Sequence, residues 1–162
     1  MCYHILDKVN REGMMQIHLS KYIAAPVDVT FEVFSDITKA EERIDGITKI
    51  EILSDVTHGV GTRWRETRIM FGREATEEME ISALQPNQSY EVVASSRGVD
   101  YHTRYTFTEK DGGTQVEMVF SGKANSLMAK LMAPLGFLFA GSVRKALEAD
   151  MDNLKAVCEQ QT

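Results

Sequence analysis

Three charged residues fall at spacings that would bring them together. Glu66 and Arg68 are two apart in Thr62–Met70, which alternates like a β-strand, and Glu77 lies in the next such stretch, Arg73–Ala83. Alternation puts Trp64, Glu66, Arg68 and Met70 on one face. With a two-residue turn at Phe71-Gly72, Arg68 pairs with Ala75 and Glu66 with Glu77, and Arg68 lies diagonal to Glu77, within reach. In an otherwise apolar space such groups would orient a ligand's polar end, or work as acid and base, because a carboxyl in a dry pocket keeps its proton to higher pH. The plainer reading is structural: Arg68 neutralises two glutamates at the open end of a sheet, since buried charges normally come paired. Glu66, Arg68 and Glu77 are the candidate catalytic residues under the first reading.

Asp150 interrupts the apolar series Val143, Leu147, Leu154 and Val157. It either faces a cavity or accepts hydrogen bonds from a sheet side chain such as a tyrosine or arginine. Trp64, Tyr90, Tyr101 and Tyr105 combine apolar bodies with polar tips, which suits a core or a ligand pocket. The four histidines and two cysteines show no metal-ligand spacing, and Gly59-Val60-Gly61 lacks the helix and lysine of a phosphate loop. No cofactor and no metal are expected.

These residues need a scaffold. The chain has 162 residues, enough for one domain with a good core, and a net charge of −6, which argues against a nucleic-acid partner. Cys2 and Cys158 form no disulfide framework, no signal peptide is evident, and no run is long enough to span a bilayer, so a reducing, cytoplasmic setting is expected. Met14 and Met15 directly precede the first strand-like stretch, so residues 1–13 read as an N-terminal extension outside the fold and 14–162 as the domain.

Strand one covers Gln16–Ile23. Pro26 and Asp28 open a helix that carries Val27, Phe31 and Phe34 at helical spacing, and a second short helix covers Lys39–Ile44. Six further strands follow: Thr48–Leu53, Thr62–Met70, Arg73–Ala83, Ser89–Ser96, Asp100–Glu109 and Thr114–Gly122. Short turns between them imply an antiparallel sheet. A two-residue turn at Arg97-Gly98 pairs Ala94 with Tyr101 and Val92 with Thr103; a four-residue turn at Lys110–Gly113 pairs Phe107 with Val116 and Tyr105 with Met118. The apolar faces then agree, as register requires.

The last helical pattern, Ser126–Gln160, has two unlike halves. The second has one apolar stripe and one wet face. The first, Leu127–Gly141, is apolar nearly all round, with Lys130 its only charge, and Pro134, Gly136 and Gly141 mark where it bends. A helix apolar on every side needs partners on every side: a sheet, a ligand or a surface.

Several stretches together resemble one family. They are Ala24-Ala25-Pro26-Val27-Asp28-Val29-Thr30-Phe31, then Gly59-Val60-Gly61-Thr62 before a strand, then Gly113-Thr114-Gln115-Val116, and a long final helix ending Leu154-Lys155. Over roughly Met15–Glu159 the chain resembles the START-like (SRPBCC) superfamily, in its polyketide cyclase/dehydrase and lipid-transport branch. The resemblance implies an α+β helix-grip fold: a seven-stranded curved antiparallel sheet wrapped around a long C-terminal helix, with two short helices between strands one and two, and a cavity between sheet and helix. Members bind lipids, sterols, polyketides or quinones there and a minority catalyse reactions; no universal catalytic residue carries over.

The expectation is therefore a protein that binds or carries a small hydrophobic molecule. The alternative is a cyclase, aromatase or dehydratase working in the same cavity. Candidate ligand-lining residues on the strands are Trp64, Met70, Met79, Tyr90, Tyr101, Thr103, Tyr105 and Met118; on the final helix they are Met128, Met132, Leu135 and Phe139. A third reading has the apolar half-helix dock a membrane or a second copy; its poverty in Lys and Arg argues against an anionic membrane.

Overall fold

The computed structural model describes residues 14–162, side chains at 134–137 excepted. The extension read at 1–13 lies outside the described residues. Strand β1 (Met14–Ile23) leads through Pro26 into helix α1 (Val27–Ser35), a 3-10 turn (Ile37–Lys39) and the single-turn helix α2 (Ala40–Arg43). Then come β2 (Ile47–Ile52), β3 (Arg63–Met70), β4 (Arg73–Gln85), β5 (Ser89–Ser96), β6 (Val99–Lys110), β7 (Gly113–Ala124) and helix α3 (Leu127–Gln160). The second short helix expected at Lys39–Ile44 is α2, entered through the 3-10 turn. Asp36 forces this shape, because its carboxylate accepts from the Thr38 amide and hydroxyl at 3.1 and 2.6 Å and caps the turn one residue after α1 stops.

The seven strands form one antiparallel sheet in the order β1-β7-β6-β5-β4-β3-β2. The hairpins β3–β4, β5–β6 and β6–β7 have the register read from alternation: Arg68 opposite Ala75, Glu66 opposite Glu77, Ala94 opposite Tyr101 and Phe107 opposite Val116. Three of the turns are two-residue turns with both φ angles positive, at Phe71-Gly72, Arg97-Gly98 and Asp111-Gly112. That geometry matches the right-handed twist of paired strands. The turn after β6 is therefore tighter than the four residues expected, since Lys110 and Gly113 already pair.

Gly98 serves two purposes. Its φ of 78° is the left-handed region, and a Cβ there would lie 2.3 Å from the Ser126 hydroxyl. That hydroxyl accepts from the Ala129 amide at 3.1 Å and caps α3. Gly98→Ala is expected to strain the turn and displace the cap together, costing about 2 kcal/mol. A fall in the thermal midpoint larger than that of Ser126→Ala alone would show it.

The core lies between the sheet's inner face and the helices. Ile17, Ile23, Met118 and Val116 from the sheet meet Met151, Leu154 and Cys158 from α3 and Phe31 and Phe34 from α1. The rings of Phe31 and Phe34 sit edge-on to Phe107, with centroids 5.2 and 5.5 Å apart. The later part of α3 is fastened to both margins of the sheet. On one margin Lys155 Nζ donates to the Tyr22 carbonyl at 2.7 Å, the Ala24 amide donates to Glu159 at 2.9 Å, and Lys21 pairs with Asp152. On the other the Asp45 amide donates to Asn153 at 3.0 Å and Arg68 reaches Asp150. A sheet tied at both margins to one helix must curl around it, which is the helix-grip arrangement.

The first part of α3 behaves otherwise. The directions of Leu127–Ala133 and Leu138–Gln160 differ by 91°. In the first segment the half-buried residues are the small ones, Ala129 and Ala133, while Leu127, Met128, Leu131 and Met132 face solvent. Phe139 is also exposed and meets the equally exposed Phe71 of the β3–β4 turn edge to face at 5.2 Å. The all-round partners expected for this half-helix are not there among the described residues. Among those residues no single helix is long and apolar enough to cross a membrane.

Candidate functional site

Alternation on β3 turns Trp64, Glu66 and Arg68 inward, and the helical spacing of α3 brings Asp150 over them. Arg68 donates through Nε to Glu66 Oε1 at 2.8 Å and through Nη2 to Asp150 Oδ2 at 2.9 Å. Trp64 Nε1 donates to the other Glu66 oxygen at 3.4 Å. Glu66 and Asp150 are buried, and Arg68 nearly so, with 18% of its side chain exposed. Burial pushes the Asp150 carboxyl above the ordinary aspartate range, and Arg68 opposes that rise without cancelling it. Burial by itself would lower the Arg68 guanidinium, but the charges of Glu66 and Asp150 outweigh it and hold the group more firmly protonated than usual.

Glu77 is not part of this network. It stands opposite Glu66 as expected, yet Arg68 turns from it toward Asp150. The reason is geometric: the diagonal neighbour on a sheet competes with a helix carboxylate lying directly above the guanidinium, and the latter closes a network of three elements. Among the described residues Glu77 makes no hydrogen bond or ion pair, and it remains half-buried on the inner face. It does lie close enough to Tyr101 to help burial push that phenol up.

The tyrosines divide. Tyr90 is 3% exposed; its hydroxyl donates to the Phe34 carbonyl at 2.9 Å and its ring stacks on Tyr105 at 4.7 Å. It is thereby taken up by core packing, as are Met118 in the main core and Trp64 in a smaller cluster with Ile37 and Ile81. Burial, and secondarily the charge of Asp150, pushes the Tyr105 phenol up, so at neutral pH it keeps its proton and can both donate and accept. Its hydroxyl has no hydrogen-bond partner among the described residues.

The remaining expected lining residues fall into two groups. Met70, Met79, Tyr101 and Thr103 face inward and are half-buried, at the end of the sheet that carries the turns Phe71-Gly72 and Arg97-Gly98. Met128, Met132 and Phe139 are at least half exposed, with Phe139 against Phe71 at the β3–β4 turn. In the segment that carries Met128 and Met132, Ala129 and Ala133 take the more covered side of the helix. Leu135 lies outside the described side chains.

Alternation also lines the inner face with Val92, Ala94 and Phe120, all half-buried, which as plain apolar residues carry no chemical signal in the sequence. Tyr101 stacks on Phe120 with centroids 5.8 Å apart. The result is a packed half of the inner face, near α1, and an accessible half with apolar and aromatic walls and a charged margin. A depression of about 550 Å³, open to solvent, is lined by Arg63, Glu78, Glu80, Val93 and Lys123 from the outer face and also reaches Met79, Ala94 and Tyr101.

Chemically, Glu66 and Asp150 are committed as acceptors to one guanidinium, which makes each a poor proton shuttle. Cys158 is buried against α1, and burial pushes its thiol up to about 11, so it is no nucleophile at neutral pH. Among the described residues no group of three His, Cys, Asp or Glu side chains could hold a metal ion.

Comparison with known proteins fits this geometry. The Zhui aromatase/cyclase from Streptomyces sp. R1128 superimposes with a TM-score of 0.74 at 17% identity, over 90% and more of both chains (91% of this one, 95% of the other). A START superfamily protein from Mycobacterium smegmatis gives 0.68 at 14% identity, over 91% and 99%. Ara h 8.0201 gives 0.72 at 15%, over 90% and 97%. At such identities the likeness is one of fold alone. No curated protein matches the chain. The sequence itself carries the model of one family across residues 14–159. On that match, and with a sheet gripping α3 as described, the chain belongs to the polyketide cyclase/dehydrase and lipid transport family.

Proposed function

We propose that the protein binds a small hydrophobic molecule, of lipid, polyketide, quinone or other aromatic type, between the accessible half of the sheet's inner face and α3. One observation carries this reading. Met79, Ala94, Tyr101, Thr103 and Phe120 point toward the concave side of a folded sheet and yet keep contact with solvent. Apolar side chains turned inward and left incompletely covered are a surface that gains by taking up an apolar body. The unengaged Tyr105 hydroxyl and Glu77 carboxylate supply the few polar contacts that orient a guest.

The test is a titration with a neutral apolar dye such as Nile red, paired with native mass spectrometry of protein purified from its own host. Saturable binding is expected. Ala94→Trp puts a large ring between Met79 and Tyr101, and is expected to weaken dye binding at least about ten-fold while the thermal midpoint holds within a few degrees. Undiminished binding in that variant would place the guest elsewhere.

The alternative, a cyclase, aromatase or dehydratase using the same space, needs a carboxylate free to move a proton. With Glu66 and Asp150 tied to Arg68, Glu77 is the residue available for that work. Turnover of a linear poly-β-ketone, lost in Glu77→Gln with binding retained, is the result that would favour it.

A further inference from the structure

The charge around this inner space is unbalanced. Facing it are Glu66 and Arg68 on β3, Glu77 on β4 and Asp150 on α3, and Arg97 at the β5–β6 turn lies near enough to act on the Tyr101 phenol: three carboxylates against two guanidiniums. Arg68 is already shared between Glu66 and Asp150. Arg73, on the same face of the sheet as Met70, stands exposed at the β3–β4 turn, where solvent screens it. At the other end Lys21 is paired with Asp152. Arg97 is likewise exposed at its turn and screened, and among the described residues no cation pairs with Glu77, which sits half-buried.

Half-burial of an unpaired carboxylate costs free energy that a positive group would recover. Next to it stands a second feature suited to a cation. The Tyr101 ring is half-buried and backed by Phe120, which leaves it part of the accessible wall, and Glu77 acts on its phenol electrostatically, opposed by the smaller influence of Arg97. The face of an aromatic ring attracts an ammonium group, and most strongly where water is partly excluded.

We infer that the guest is a hydrophobic amine, its ammonium held by Glu77 against the Tyr101 ring and its apolar body lying along Met79, Ala94 and Phe120. The inference rests on the inner face being the binding space and adds the charge of what enters it. A lipid ending in a carboxylate meets net negative charge there and is rejected, and a neutral alcohol gains only the apolar contacts.

Three ten-carbon probes isolate the head group: decylamine, decanol and decanoate, titrated calorimetrically at pH 7 below their micelle concentrations. Decylammonium is expected to bind about ten-fold tighter than decanol, the equivalent of one ion pair plus one aromatic contact, and decanoate weaker than either. Glu77→Gln should remove the amine's advantage, so that decylamine and decanol bind that variant equally. Because a protein of net charge −6 attracts cations at large, Glu78→Gln serves as the control. Glu78 lies on the outer face, bonded to Arg65 at 2.6 Å, and its loss should leave the amine preference intact. Decanoate binding as tightly as the amine, a preference that survives Glu77→Gln, or equal losses in both variants would overturn the inference while leaving the space as a binding site. Failure of all three probes and of Nile red would remove the binding space itself, and the inference with it.

Discussion

Arg68→Met is expected to lower the unfolding free energy by about 3–5 kcal/mol, the cost of leaving buried charges without their partner. Both carboxylates involved are buried, and each accepts a hydrogen bond of under 3 Å from this one guanidinium. Methionine keeps much of the length and removes the charge. The loss should depend on pH. Asp150 is already raised above its ordinary value of 3.8 in the folded protein. The native state therefore holds this proton over a window in which the unfolded chain has released it. Stability contributed by this group rises as pH falls through that window. Without Arg68 the influences that held the carboxyl down are gone, and the window extends upward. Urea midpoints at pH 7 and pH 5 should show the variant closer to wild type at the lower value. A triple replacement, Glu66→Gln with Arg68→Met and Asp150→Asn, removes all three charges and should recover most of the loss. A penalty that is independent of pH and persists in the triple variant would mean that the packing of the arginine stem, not charge, is what matters.

The second large effect contrasts the two parts of α3. Met151 has no exposure and fills the space between β1, β7 and α1. Met151→Ala is expected to cost about 2–5 kcal/mol through lost burial and the cavity left behind. Leu131 is 75% exposed on the same helix, and Leu131→Ala should stay within about 0.5 kcal/mol of wild type. Chemical denaturation of the two variants measures both. Equal penalties would mean that the early segment of α3 is packed against the body of the protein.

Much of the sheet was legible because the information is local. Period-two alternation and glycine-bearing two-residue turns determine each hairpin between its own neighbours, so Val92–Thr103, Tyr105–Met118 and Glu66–Glu77 could be paired without reference to the rest of the chain. The irregularity between Ile81 and Ala83, which brings Leu84 opposite Tyr90, leaves no such mark. The site was half legible for the same reason. Alternation places Glu66, Arg68 and Glu77 on one face, but which carboxylate the arginine takes depends on where α3 settles, and that is decided by contacts between residues more than eighty apart. The early part of α3 shows the limit most plainly. Apolar composition tells what a side chain would prefer to touch; only the arrangement of the other elements tells whether anything is within reach.

The strand order has a consequence for how the chain reaches this state. Strands β2 to β7 follow one another as successive neighbours, but β1 pairs with β7, with Ile17 opposite Phe120. Made before the other six strands, β1 finds no edge to join until some hundred further residues have been made. Closing so long a loop is slow relative to zipping a hairpin. Until then the Ile17, Leu19 and Ile23 side of β1 stays uncovered. During synthesis, that segment is the one most in need of shelter by a chaperone.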